Sequence, residues 1–184
     1  MDETTQTHVN NVRSPDSELQ NAAYTYLMAA TETAVPWAYE AWDEIVAGLS
    51  HKDNHVRSIS AQVLCNLARS DPEGRIFDDF AALLAVTQDE RFVTARHCLQ
   101  ALWKIGLAGE AHRKLVVDGL VERFNNCRAE KNWSLIRYDI IQDLRHLYDA
   151  VPDETIKETA LALIATEDDG KYRKKYATVW PKGA

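Results

Sequence analysis

Apolar side chains recur along this chain at spacings of three and four residues, the pattern that predicts amphipathic helices. The clearest segment is residues 54–69, where the apolar positions follow Arg57 at +4, +7 and +10. Three later segments repeat this pattern from zero positions at Ala95, Arg137 and Arg173. The residues at these offsets are Ala61, Leu64, Leu67, Leu99, Leu102, Ile105, Ile141, Leu144, Leu147, Ala177 and Trp180. The zero positions lie 38, 42 and 36 residues apart, which predicts a helical hairpin repeating about every 40 residues.

Polar and Gly- or Pro-containing segments separate the periodic stretches and set the predicted hairpins at roughly 35–69, 75–107, 109–149 and 153–180. Ahead of them, Ser14-Pro15-Asp16 offers start signals for one more helix that runs to about Thr31. Residues 1–14 are polar and lack periodicity, so we expect a disordered tail there. Residues 15–181 then form a single all-α domain.

The second helix of each hairpin resembles the HEAT-repeat (armadillo-type) family. That motif has an Asp in the turn, then Val-Arg, then small and apolar residues, as in Asp53, Val56, Arg57 and Ala61. Ile136 and Arg137 open a second good match, whereas Ala95 replaces the Arg in between. The resemblance implies a right-handed α-solenoid of about four hairpins with an extra N-terminal capping helix. It also implies that the second helices line the concave side, and that each recurrent Arg pairs with a turn acid or caps a neighbouring hairpin, rather than forming a phosphate-binding ladder.

Positions +1, +5 and +8 of the second helices lie within about 60° of arc beside the apolar stripe, and +9 adjoins them. We call the predicted surface the second-helix strip. It consists of Ser58, Gln62, Arg96, Gln100, Trp103, Lys104, Tyr138, Gln142, Arg145, His146 and Lys174. Cys65 and Asn66 occupy the same offsets, and no carboxylate does. Amides that can bond a peptide backbone, together with aromatic and cationic groups, favour an extended or acidic protein partner. The alternative is a solvated face with no ligand.

The charge is unevenly distributed. Residues 1–53 hold nine acidic and two basic side chains, and the rest of the chain holds nineteen of each. The acidic quarter either docks a basic partner or is a polar cap, and we favour the cap. Three cysteines without a CxxC pair, a polar N-terminus and the lack of a long apolar run predict a cytoplasmic protein with no membrane segment.

The functional prediction is a non-enzymatic protein-binding or scaffold module that uses the second-helix strip. Neither a cofactor nor a metal site is expected, because HExxH, Gly-rich phosphate loops and GxSxG are missing from the sequence. The alternative is a nucleic-acid-binding protein or a relative of the HEAT-like DNA glycosylases. Their concave aromatics and Asp would correspond here to Trp103 or Tyr138 with Asp139 or Asp143. The prediction of Asp139 and Asp143 off the strip weighs against that alternative.

Overall fold

The computed structural model describes residues 1–181, and these form helices and no strand. The ten α-helices are α1 (Glu3–Asn11), α2 (Ser17–Ala30), α3 (Ala38–Gly48), α4 (Asn54–Leu67), α5 (Arg75–Val86), α6 (Phe92–Leu99), α7 (Glu110–Asn126), α8 (Trp133–Ala150), α9 (Glu154–Ala165) and α10 (Gly170–Ala177). Short 3₁₀ segments cover Ala68–Ser70, Leu102–Ala108 and Cys127–Ala129. The predicted all-α class is confirmed. Within residues 1–181 no helix is both long enough and apolar enough to cross a membrane.

The helices stack in two layers. The even-numbered helices α2, α4, α6, α8 and α10 contact one another in chain order and form the second-helix layer. The odd-numbered helices form the other layer, with direct contacts of α1 to α3, α5 to α7 and α7 to α9. The indole of Trp42 on α3 donates a 2.8 Å hydrogen bond to Asp79 on α5, and this bond links α3 to α5. This arrangement is an all-α solenoid, in which each hairpin buries its apolar stripe against the next one.

The apolar stripe of the second helices forms the core. Leu64, Leu99, Ile141 and Leu144 are at most 1% exposed, which confirms the predicted core register in α4, α6 and α8. In α10 the predicted core residue Ala177 is exposed, and Tyr176 is buried instead. Each fully buried side chain of this size stabilises the fold by about 1.5–3 kcal/mol. Aspartates at the helix starts add local support, since their carboxylates accept backbone N–H bonds that the first turn leaves open, each worth about 1 kcal/mol. These N-caps are Asp2, Asp16, Asp53, Asp153 and Asp169.

The predicted disordered tail is wrong for residues 3–11, which form α1. Asp2 caps this helix, and Thr5, Val9 and Val12 are buried at i, i+4 and i+7. The hydroxyl groups of Thr5 and Tyr26 lie 2.9 Å apart and tie α1 to α2. The expected lone capping helix α2 therefore has a partner, and residues 1–181 form five helix pairs.

Ion pairs connect successive hairpins. The Arg57 guanidinium donates to Asp89 at 2.5 and 2.9 Å, in the loop of the next hairpin. Arg137 on α8 donates to Glu167, in the loop of the last hairpin, at 2.8 Å. These bonds confirm the structural role predicted for Arg57 and Arg137. The third recurrent arginine, Arg173, is exposed on α10, so the prediction is not confirmed there. The middle hairpin has Ala95 instead of an arginine at the zero position. Arg123 on α7 connects this hairpin to the next one by donating to Thr87, which follows α5, and to Glu130.

The second helix of the middle hairpin is not continuous. α6 ends at Leu99, and a 3₁₀ segment follows at Leu102–Ala108. Gly106 in this segment packs so closely on Leu147 that an added Cβ would lie 2.7 Å from a Leu147 methyl carbon. Because 3₁₀ winding turns about 120° per residue instead of about 100°, Trp103 and Lys104 are rotated from the positions that a continuous α-helix would give them.

Candidate functional site

The N-terminal part of the second-helix strip belongs to a cleft between α2, α4 and α6. We call it the N-terminal cleft. Its lining residues are Asn21, Tyr24, His55, Ser58, Ile59, Gln62 and His97, and its volume is about 160 Å³. Gln62 is committed to internal bonds, because its Oε1 accepts from the Tyr24 hydroxyl at 3.1 Å and its Nε2 donates to the Ser58 carbonyl at 3.1 Å. Ser58 and Gln62 therefore form the cleft wall.

The middle of the strip contains a carboxylate that the sequence pattern placed elsewhere. Arg96 on α6 makes a bidentate bond to Asp139 on α8, with distances of 2.6 and 2.8 Å. Gln100 donates to the same carboxylate at 3.3 Å. Asp139 is fully buried, whereas the Arg96 side chain is 34% exposed. The buried Asp139 carboxylate thus neutralises the charge of Arg96. The exposed part of the guanidinium acts as a polar hydrogen-bonding group rather than an uncompensated cation.

Trp103 and His146 meet at the N-terminal end of the 3₁₀ segment, with ring centroids 5.6 Å apart. His146 is exposed and Trp103 is half-buried. Arg145 is paired with Asp149 one turn later, at 2.7 Å, and its guanidinium carbon lies 5.2 Å from the Trp180 ring centroid. The structure therefore joins Trp103, Arg145 and His146 into an aromatic and polar region at the ends of α8 and α10.

The C-terminal end of the strip carries exposed positive charge. Lys174 is exposed on α10, as are Lys171, Arg173 and Lys175. The Lys175 ammonium lies 4.6 Å from the Tyr138 ring centroid on α8, within the range of a cation–π contact. Gln142 is half-buried one turn after Tyr138. Positive charge along the strip is concentrated here, because Arg96 and Arg145 both have carboxylate partners and Lys104 is a single half-buried cation.

The accessible face of the second helices is rotated from the predicted one. Cys65 and Asn66 are buried at 0% and 1% exposure, so offsets +8 and +9 on α4 face the interior. The cleft residues of α4 instead occupy −2, +1, +2 and +5 relative to Arg57, a shift of about 40° around the helix. His97 and Asp139 both occupy +2 in their own helices. The expectation that the face lacks carboxylates therefore depended on a register that the structure corrects.

Asp143 is the group that sequence reasoning placed least well. It is 1% exposed. Neither carboxylate oxygen forms a hydrogen bond of ordinary geometry within residues 1–181, although the Trp103 backbone N–H lies near enough to favour the charged form. Burial, together with the nearby Asp139, raises the pKa of Asp143 well above its ordinary value. Asp139 is occupied by Arg96 and Gln100. Neither acid is accessible to a flipped base, so the residues that the glycosylase alternative needs are covered.

Two comparisons found no counterpart: no protein-family model matches the chain, and no curated protein matches its sequence. Solved structures do match. One is the crystal structure of an engineered protein, 18% identical with a TM-score of 0.58, covering 97% of this chain and 78% of that chain. Another is a designed armadillo repeat protein in complex with the peptide (KR)4, 17% identical with a TM-score of 0.51, covering 97% of this chain and 88% of that chain. These likenesses confirm the armadillo/HEAT-like repeat fold.

Proposed function

We propose that this chain is a non-enzymatic repeat scaffold whose second-helix strip binds an extended acidic segment of a protein partner. The observation that carries the proposal is the chemistry of the strip. Its uncompensated charges are the ammonium groups of Lys104 and of the lysines around Lys174. Its acids are either buried, as Asp139 is, or paired with a strip arginine, as Asp149 is. An acidic segment would therefore meet attraction at the C-terminal end and polar donors along the rest.

The length of the segment follows from the spacing of packed helices. Neighbouring helices pack about 8–10 Å apart, so the three steps from α4 to α10 span about 27 Å. An extended chain rises about 3.3 Å per residue, which corresponds to a segment of about eight residues. The exposed amide of Gln100 and the half-buried amide of Gln142 would bond its backbone, while Trp103 offers a flat apolar contact.

The designed armadillo neighbour supports a peptide as the kind of ligand, since it is in complex with (KR)4. That peptide is basic, whereas the strip of this chain carries exposed lysines at one end. Like charges placed opposite one another disfavour binding. The same architecture is therefore proposed here with a ligand of opposite charge.

The direct test is fluorescence anisotropy with labelled, C-terminally amidated eight- to twelve-residue peptides of glutamate-rich, lysine-rich and uncharged composition. We expect the glutamate-rich peptide to bind most tightly and to lose affinity as salt is raised, because screening weakens exposed charge pairs. Duplex and single-stranded DNA oligonucleotides form a further arm. Tighter binding of DNA than of any peptide, or no peptide binding at all, would refute the proposal.

The matched variants are two triple substitutions on opposite layers. Gln100→Ala, Trp103→Ala and Arg145→Ala together remove strip contacts while leaving Arg96 in place to balance the buried Asp139. Truncating such contacts weakens peptide affinity at least about tenfold. The control carries Gln88→Ala, Lys114→Ala and Glu122→Ala, exposed positions on the odd-numbered side. We expect the control variant to keep wild-type affinity. Circular dichroism is used to check that both variants remain helical.

A further inference from the structure

The N-terminal cleft is the part of the second-helix face with the most directed hydrogen bonding. Drug-sized ligands and cofactors occupy pockets of about 300–1,000 Å³, whereas this cleft measures about 160 Å³. Its size therefore suits a single side chain of a bound segment. Its lining is polar except for Ile59 and the ring of Tyr24.

The bonds in the cleft form a chain from Tyr24 through Gln62 and Ser58 to His97, in which the direction of the last link depends on the His97 tautomer. The Ser58 carbonyl can only accept, so the Gln62 nitrogen faces it at 3.1 Å, and the Gln62 oxygen then accepts from the Tyr24 hydroxyl. The same nitrogen donates to Ser58 Oγ at 3.3 Å. Ser58 Oγ lies 3.0 Å from His97 Nδ1. In the neutral tautomer that carries its hydrogen on Nε2, His97 Nδ1 accepts from the Ser58 hydroxyl.

Protonation of His97 would reverse one link of this chain. An imidazolium holds hydrogens on both ring nitrogens, so Nδ1–H would donate to Ser58 Oγ. The Ser58 hydroxyl would then accept from both Gln62 and His97, and its hydrogen would be free to turn toward the cleft. The charged state thus offers an acceptor two donors, Nε2–H of His97 and Oγ–H of Ser58.

The surroundings of His97 lack an anion that would already favour the charged state. His97 is exposed at the mouth of the cleft. Partial desolvation of its ring lowers the pKa of His97, and Arg96 on its own helix and His55 on α4 lower it further. On the α2 side the cleft holds Asn21 and Tyr24. Asp139 on α8 is engaged by Arg96. An incoming carboxylate would therefore supply the missing negative charge and stabilise the imidazolium.

We propose that the N-terminal cleft anchors one glutamate or aspartate side chain of the bound segment, and that anchoring is coupled to protonation of His97. The proposal rests on the function proposed above, because the carboxylate belongs to the same acidic segment. Binding and proton uptake favour each other, so affinity for the acidic peptide rises as pH falls from 7.5 to 5.5. The gain is at most about tenfold per pH unit for one proton.

The first measurement uses the protein alone with sodium acetate as the probe. The NMR signals of the imidazole carbon-bound protons are followed through pH 4.5–8.5, and the His97→Gln variant identifies the His97 resonance. Acetate is expected to shift the His97 midpoint upward, whereas sodium chloride at equal ionic strength does not. The Ser58→Ala variant lacks the second donor and shows a smaller acetate effect. An acetate effect no larger than that of chloride overturns the cleft proposal whether or not a peptide binds.

The second measurement compares affinity for the glutamate-rich peptide at pH 5.5 and 7.5, a range in which the peptide's own carboxylates stay ionised. His97→Gln is expected to bind with little pH dependence. The control His112→Gln, a half-buried histidine on α7 in the opposite layer, keeps the wild-type dependence. Equal pH dependence in wild type and His97→Gln overturns the anchor while leaving the strip proposal intact. Failure of all peptides to bind, with the acetate shift present, refutes the strip proposal alone.

Discussion

Replacing Asp143 by Asn tests whether a carboxyl group is held without a partner inside the second-helix layer. Asp143 is 1% exposed, and neither carboxylate oxygen forms a hydrogen bond of ordinary geometry within residues 1–181. The nearby Trp103 backbone N–H opposes the effect of burial but does not outweigh it. Burial raises the pKa of this group, with Asp139 adding to the effect. Asn has nearly the same shape and does not titrate, so the variant removes the charge change and little else.

The sign and size of the effect follow from proton linkage. The pKa of Asp143 is higher in the folded chain than the ordinary value of 3.8. At pH values between 3.8 and the folded pKa, the folded state binds more protons than the unfolded state. Each unit rise in pH there lowers the free energy of unfolding by up to about 1.4 kcal/mol. Below 3.8 both states are protonated and the penalty disappears. We therefore expect Asp143→Asn to match wild type near pH 3.5 and to become progressively more stable than wild type toward neutral pH.

Urea unfolding followed by circular dichroism at half-unit pH intervals measures this difference. Since 1 kcal/mol corresponds to about 2–4 °C in the melting temperature of a chain this size, thermal scans should separate by about 3–6 °C per pH unit. The control Asp149→Asn changes an exposed acid on the same helix and should alter stability by less than about 1 kcal/mol. Parallel stability curves for Asp143→Asn and wild type would show that Asp143 is not a buried, unpaired carboxyl group.

Three further predictions concern packing and pairing. Burial alone would raise the pKa of Glu167, but the Asp169 backbone N–H and the Arg137 and Arg128 guanidiniums outweigh burial and hold it below its usual value. Glu167→Gln should therefore cost about 3–5 kcal/mol at pH 7, and this loss should shrink as pH falls through the folded pKa, as measured by urea unfolding. Gly48→Ala would place a Cβ 2.9 Å from that of Ser60 and should cost about 1–3 kcal/mol. Gly170→Ala meets nothing within 4 Å and should change the melting temperature little or raise it. Ellman's reagent should leave the folded chain unmodified and label three thiols after unfolding in urea, because all three are buried. These are Cys65, Cys98 and Cys127.

The core could be predicted from the sequence because it depends on one helix at a time. Offsets of +4, +7 and +10 describe a stripe along a single helical cylinder, and Leu64, Leu99 and Ile141 are buried in that register. The helix α1 was also readable in principle. Asp2 followed by Thr5, Val9 and Val12 contains a cap and an i, i+4, i+7 stripe, but the stripe is short and its first member is polar.

The strip was less predictable, because its chemistry depends on contacts between helices. The pairing of Arg96 with Asp139 joins residues 43 apart, and its geometry is set by the angle and offset between α6 and α8. A helical wheel contains neither quantity. The 3₁₀ segment at Leu102–Ala108 changed the register a second time, because Gly106 permits close approach to Leu147. The sequence therefore predicted the residue types of the second-helix strip better than it predicted the side chains with which they pair.

The ion pairs between hairpins limit how such a chain can be recombined. Arg57 finds its acid in Asp89, and Arg137 finds its acid in Glu167, in each case beyond the hairpin to which the arginine belongs. A genetic exchange that cuts between hairpins would separate a half-buried guanidinium from its carboxylate and leave both uncompensated. Duplication or grafting of one hairpin is tolerated only when the loop acid of the next one travels with it. The exchangeable unit of this chain thus begins and ends inside the hairpins, not at the loops that divide them.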